Sequence, residues 1–241
     1  MPFDTPHLEL LLTCRTPAKA SILDQVDIPL KPVQVEGDFF APDHNLSIYR
    51  QLPSPHVDAA WDRISTLGQV FLTTEEVVKL GKDPTMTVRD NDHPEMHIGL
   101  VNAFHEIHCL NVLRQNLHRD YYWPDGINSP FHWVHLYHCL HLILQSLTCN
   151  ANTDLVTYNW VETRSEPVWD YAINRVCRDF DALLEWHNRT TRPIDDYNFH
   201  RVGGEKERPA PDQLKRIVAH GSDSRISSRL FNMQKDMMAN Q

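Results

Sequence analysis

Residues 105–109 read HEIHC and residues 135–139 read HLYHC, so one pattern, His-x-x-His-Cys, is written twice in quick succession. With 15 His and 5 Cys in 241 residues, random placement predicts roughly 0.02 copies of that pattern in the whole chain. Residues three and four apart on an α-helix share a face. His105 and His108 can therefore grip one ion from a single helix, with Cys109 a turn after His105. The same reasoning applies to His135, His138 and Cys139.

Working outward, the segment YYWPDGINSP between the pentads breaks the chain at Pro124 and Gly126. It separates a helix expected from near Pro94 to Leu117 from a second one expected over Phe131 to Leu147. A short connection lets the two run antiparallel, so that four imidazoles converge. Upstream, SPHVDAAWDRISTL places Val57, Ala60, Trp61 and Ile64 on one helical face after a proline suited to a helix start. TTEEVVKLG repeats the logic, with Thr73 or Thr74 as N-cap, early glutamates and Gly81 as terminator. DLVTYNWVE is the best strand candidate, and CRDFDALLEWHNR closes the compact part as an amphipathic helix. The first 56 residues are proline-rich without sustained periodicity, and after Pro193 the chain turns polar, with a short amphipathic helix expected near 224–238. The expected architecture is mainly α: a single helical domain with a few short strands and an extended Pro-rich N-terminal arm.

The composition narrows the chemistry. An apolar fraction of 41% and a charged fraction of 23% are those of a globular protein. A formal charge of −9 argues against nucleic acid or an anionic membrane surface as main partner. No stretch has the run of apolar residues a membrane span needs, and the N-terminus lacks the basic leader of a signal peptide. Asn45-Leu46-Ser47 and Asn188-Arg189-Thr190 are glycosylation sequons, so the composition assigns no compartment. No Gly-rich phosphate loop, nucleophile elbow or dinucleotide fingerprint is present.

Imidazoles suit zinc, copper, iron and nickel, so ligand type alone names no metal. If Cys109 and Cys139 are thiolates, a closed structural zinc site competes; if they bridge each other, the histidines are left for a redox metal. The bland alternative is two amphipathic helices with satisfied histidines. His118, His132 and His141 lack matched partners and read as surface groups or outer donors, and His187 beside Trp186 reads as structural. Cys149 and Cys177 read as a disulfide rather than as metal thiolates, leaving Cys14 as an unpaired thiol.

The doubled pentad, with CNANTD and CRDFDALLEW downstream and YRQLPSPHVDAAWDRI upstream, resembles the fungal UstYa-like family over roughly residues 39 to 190. That resemblance implies an extended arm (1–38), a metal-binding catalytic domain (39–192) and a polar C-terminal extension (193–241). It implies a copper-dependent oxidoreductase of mycotoxin and secondary-metabolite biosynthesis that cyclises, hydroxylates, desaturates or halogenates a peptide or small-molecule intermediate. His105, His108, His135 and His138 would hold the copper, or alternatively iron or zinc, with Cys109 and Cys139 adjoining. Members usually carry a membrane helix before this domain, a segment not found in this chain. A non-redox metal-assisted cyclase and a non-catalytic metal-stabilised partner protein are the competing readings. Partners would be the substrate, further copies of the chain or other enzymes of the cluster. Tyr121, Tyr122 and Trp123, between the pentads, are expected to line the substrate pocket. A secretory setting permits disulfides, with Cys149–Cys177 expected first and Cys109–Cys139 second.

Overall fold

The computed structural model describes residues 26–37, 46–127, 129, 131–194 and 199–219. In chain order the elements are β1 (Leu30–Gln34), α1 (Pro55–Ser65), β2 (Gly68–Leu72), α2 (Thr74–Lys79), β3 (His97–Leu100) and α3 (Asn102–Leu117). There follow α4 (Arg119–Tyr122), α5 (His132–Asn150), β4 (Thr157–Asn159), β5 (Val168–Asp170), β6 (Asn174–Arg178), α6 (Phe180–Thr190), β7 (Arg192–Pro193) and α7 (Asp212–Ala219). The expectation of a mainly α, single helical domain is overturned. The described residues are 46% helical and 16% strand, the strands form three small antiparallel sheets, and the chain divides into two compact units. No helix among the described residues is long and apolar enough to cross a membrane. The helix expected near 224–238, Cys14 and the Asn45 sequon lie outside the described residues.

Among the described residues, the first unit takes 26–37, 46–51, 68–100, 150–194 and 199–205. Part of the expected arm is a strand, because β1 pairs antiparallel with β6 from Leu30↔Arg178 to Gln34↔Asn174. Pro32 is tolerated since a two-stranded ribbon has an open side where a missing N–H costs nothing. Asp179 secures the junction twice over. Its carboxylate accepts from the backbone N–H groups of Asp181 and Ala182, capping α6, and it pairs with the Lys31 ammonium at 2.8 Å. The hydrogen bond from Lys31 is the main reason the Asp179 carboxyl is held below its ordinary range.

The pentad helix also starts later than expected. Residues near Pro94 are not helical, and His97–Leu100 forms β3, paired with β2 from Gln69↔Leu100 to Leu72↔His97. Gly99 is a poor helix former, and its bare Cα lets the Leu72 side chain approach, where a Cβ would come within 2.9 Å of Leu72 Cδ1. His97, 2% exposed, is engaged at both ring nitrogens, Nε2 by the Thr74 hydroxyl at 3.1 Å and Nδ1 by the Thr87 hydroxyl at 2.7 Å. Burial, and to a lesser degree Arg89, pushes its pKa down. The expected cap of α2 is present as a reciprocal box, Thr73 with Glu76, and Gly81 follows at φ +70°. The strand read from DLVTYNWVE is β4, which pairs with β5 through Tyr158↔Trp169.

Among the described residues, the second unit takes 52–67, 101–127, 129, 131–149 and 206–219. Ser54 caps α1 by accepting from the Val57 N–H, and Val57, Trp61 and Ser65 form its buried stripe at successive turns. Asn111 of α3 donates to the Ser65 hydroxyl at 3.0 Å, a buried tie between α1 and α3. One turn on, the Arg114 guanidinium lies over the rings of Trp61 and Tyr122 at 5.1 and 5.2 Å. It donates to the Asp58 carboxylate at 3.1 Å. Asp58 also accepts from the Tyr121 hydroxyl at 3.2 Å and from the Tyr122 hydroxyl. Burial works to raise the Asp58 pKa, but the hydrogen bonds from Tyr122, Arg114 and Tyr121 outweigh it and hold the carboxyl low.

Replacing Asp58 by Asn should therefore cost about 2 kcal/mol of stability, because it leaves a largely buried Arg114 without its counter-charge. A depressed carboxyl pKa stabilises the fold above the ordinary value of 3.8 and loses that contribution as pH falls through the folded value. Thermal melts of wild type and Asp58→Asn should differ clearly at pH 6 and converge as the pH drops below that ordinary value. A constant gap would mean that the Asp58 charge does not matter.

Candidate functional site

The pentads meet as their spacing foretold. The ring centroid of His105 lies 6.4 Å from that of its helix neighbour His108. Across the helix pair, His105 stands 5.9 Å from His138 and His108 stands 6.1 Å from His135. The earlier histidine of α3 faces the later one of α5, and the later faces the earlier, which is the pairing of antiparallel helices. His105 and His108 are half-buried while His135 and His138 are exposed, so the four rings open on one side to solvent.

Beneath them the helices meet through Cys109 and Cys139, both 0% exposed. The two thiols are close enough to act on each other, and Cys109 Sγ is 3.9 Å from His105 Nε2. Burial, followed by the contact with Cys109, pushes the Cys139 thiol up to about 12. All four described cysteines are free thiols. The expected Cys149–Cys177 bridge is not formed: Cys149 is exposed and Cys177 half-buried, each as a thiol. The Cys109–Cys139 bridge is likewise absent, although those two sulfurs are neighbours.

Burial and neighbouring rings disfavour the charged form of His105 and of His135. The His105 pKa is lowered by desolvation and then by His138. That of His135 is lowered by desolvation, His138 and His105. A metal sits about 2 Å from an imidazole nitrogen, hence about 3 Å from the ring centroid, so two ligands of one ion have centroids at most about 6 Å apart. The measured pairs lie at that limit. As placed, no three His, Cys, Asp or Glu among the described residues close around an ion. The four rings fit a metal as a donor set. Closing on one ion requires them to move inward by about 1 Å, a side-chain adjustment.

Around the tetrad, His132 is held by Asn116, whose Oδ1 lies 3.1 Å from Nε2. Its ring packs edge-on against Trp123 at 5.5 Å and Trp133 at 5.3 Å. His118 ends α3, His141 is exposed beside Gln145, and His187 is a buried residue of the first unit. Tyr121 and Tyr122 turn their hydroxyls to Asp58, which gives them a bracing role. Trp123 supports His132. Tyr121 does border an open cleft of about 480 Å³ with Leu52, Pro53, Asn116, Leu117 and Arg119. Asp58, Arg114 and Asn116 were not singled out from sequence. For Asp58 the hints were its place in the segment YRQLPSPHVDAAWDRI, which carries the family resemblance, and its position in the first turn of an evident helix, ordinarily a capping preference.

Because two thiols are sealed and one is exposed, native protein treated with an aromatic disulfide reagent should label Cys149 quickly. Cys109 and Cys139 should label only after denaturation. Peptide mass spectrometry reads this directly, and rapid native labelling of Cys109 or Cys139 would contradict the packing.

The sequence model of the family described as "Mycotoxin biosynthesis protein UstYa" matches residues 5–190. The UstYa family oxidase aprY of Aspergillus flavus is 38% identical, over 75% of this chain and 57% of its own. The UstYa family oxidase phomYc of Diaporthe leptostromiformis is 27% identical, over 73% of this chain and 74% of its own. The oxidase ustYa of Aspergillus flavus is 24% identical, over 57% and 61%. This chain thus spans little more than half the length of aprY. No solved structure gives a significant match. A match running through both pentads, with a relative well above one-third identity over three-quarters of the chain, shows that this chain belongs to the UstYa family.

Proposed function

We propose that the protein is an oxidoreductase of fungal secondary metabolism. It would act on a peptide or small-molecule intermediate with copper held by His105, His108, His135 and His138. The observation that carries this reading is the convergence of four imidazoles from two helices at an opening to solvent. The oxidase names of aprY, phomYc and ustYa support the reaction class. Copper bound there would supply one-electron redox chemistry, since imidazole donors accommodate both of its common oxidation states.

The chain's own residues do the rest. Alternate turns of α3 and α5 present two donors each, and the buried Cys109–Cys139 contact fixes how far apart the two rows stand. Asn116 orients His132, which adjoins His135 on the same helix face and sets the polarity on that flank. His135 and His138 stand on the exposed side, so substrate reaches the donors without a gating segment having to open. The cleft bordered by Leu52, Leu117 and Tyr121 is an apolar-edged approach on the same unit.

His108→Ala and His138→Ala should each lose copper, measured by elemental analysis of purified protein, and lose substrate oxidation with it, while circular dichroism stays that of wild type. His118→Ala should bind copper normally. Wild-type turnover by either ligand variant without copper would refute the assignment. Stoichiometric zinc, with no oxygen consumed on the cluster's intermediate, would favour a metal-stabilised partner protein.

A further inference from the structure

The open cleft of about 480 Å³ in the second unit is lined by none of the four histidines, and its volume is that of an ordinary ligand site. Its rim carries three apolar side chains left in water, Leu52 and Leu117 at 77% and 81% exposure and Tyr121 at 46%. Asn116, Arg119 and Asp120 add polar groups to the same lining. The Arg119 guanidinium lies over the Trp133 ring at 5.5 Å. Stacking uses the flat face of the group and leaves its N–H edge, the part that forks onto a carboxylate. Among the described residues no carboxylate pairs with Arg119 and no cation pairs with Asp120. Asn116 turns its Oδ1 to His132, so its amide nitrogen is a second donor at the cleft.

We infer that this cleft holds the C-terminal residue of a peptide whose last side chain is apolar. The terminal carboxylate takes the N–H edge of Arg119 and the amide of Asn116. The backbone N–H of the same residue donates to Asp120, and the side chain lies among Leu52, Leu117 and Tyr121. Charge selects the occupant. A phosphate or a second carboxylate would meet Asp120 and the negative end of α3, and a plain hydrocarbon would leave both charged side chains without partners. One carboxylate beside one N–H answers both. The site rests on the oxidoreductase reading for its purpose but not for its binding chemistry. Asn116 comes three turns after His105 on one face of α3 and about 12 Å beyond His108. An extended chain covers about 3.3 Å per residue. A peptide anchored here and running toward the tetrad therefore brings the residue about four places from its end to the histidines.

Fluorescence anisotropy of the full chain tests this, with an Ala-Ala-Ala-Leu peptide labelled at its N-terminus and supplied as free acid and as C-terminal amide. The free acid should bind saturably below about 500 µM. The amide should bind at least tenfold more weakly, since it forfeits the charge-assisted fork. Arg119→Gln should weaken the acid at least tenfold and leave the amide unchanged, while Arg119→Lys should keep part of the preference. Circular dichroism confirms that each variant is folded. A free acid that does not bind, or that binds no better than the amide, overturns the proposal. So does an Arg119→Gln protein that still prefers the acid. Copper content and substrate oxidation are measured separately on the same preparations. Preference for the acid in protein that takes up no copper keeps the cleft and defeats the oxidoreductase reading, and copper-dependent turnover without that preference does the reverse.

Discussion

Two thiols shut away from water set the geometry of the site. A helix pair can approach closely only where small side chains meet, and Cys109 against Cys139, both without exposure, is such a meeting point. Cys109 directly follows His108, and Cys139 directly follows His138. The contact between the two thiols is therefore tied to the imidazole rows by chain connectivity. The pentad is in this sense one device: two residues that project donors and a third that fixes how far apart the donors stand. A larger apolar residue at the third position would spread the rows and leave the rings too distant to share anything.

The same unit shows how a polar cluster can be braced. Asp58 receives three donors from residues 56 to 64 positions away in sequence, and Arg114 is at once an ion-pair partner and a plate stacked between Trp61 and Tyr122. A carboxylate in such a place is favourable only because its hydrogen bonds exceed its cost of desolvation. The result is that α1, α3 and α4 share one anchor, and the residues after the first pentad are stiff where a tether between helices would ordinarily be loose. That stiffness makes the connection more than a linker.

What could be read from sequence follows the range of the interactions. The pentad helices, the Pro55 start of α1 and the Thr73–Glu76 box are local, each decided by residues three or four apart, and all are visible in the residue pattern. The β1–β6 ribbon is not. Leu30 meets Arg178 across most of the chain, and no periodicity within a proline-containing arm announces a partner so remote. β3 was masked for a different reason. PEMHIGLV runs directly into a strongly helical segment and shows no clean alternation, so its strand character emerges only when β2 offers the opposite hydrogen bonds. The four histidines were legible because the chemistry repeats. Asp58 was not, because what distinguishes it is the identity of its distant donors. The aromatic trio 121–123 was legible as a cluster, but sequence could not tell hydroxyls aimed at a ligand from hydroxyls aimed at a carboxylate.

His97 has a bearing on metal selectivity. Under the proposed function four of the 15 histidines hold a metal, and the remaining imidazoles compete with them, since each is a competent ligand when a nitrogen is free. Between Thr74 and Thr87, neither nitrogen of His97 is free. The Thr87 hydroxyl donates to the Pro84 carbonyl at 3.0 Å, so it accepts from His97 Nδ1–H and leaves Nε2 to accept from Thr74. The two threonines work as a blocking group. They withdraw a buried imidazole from the pool of possible ligands, so that under the proposed function His97 does not compete with the pentad histidines for an ion.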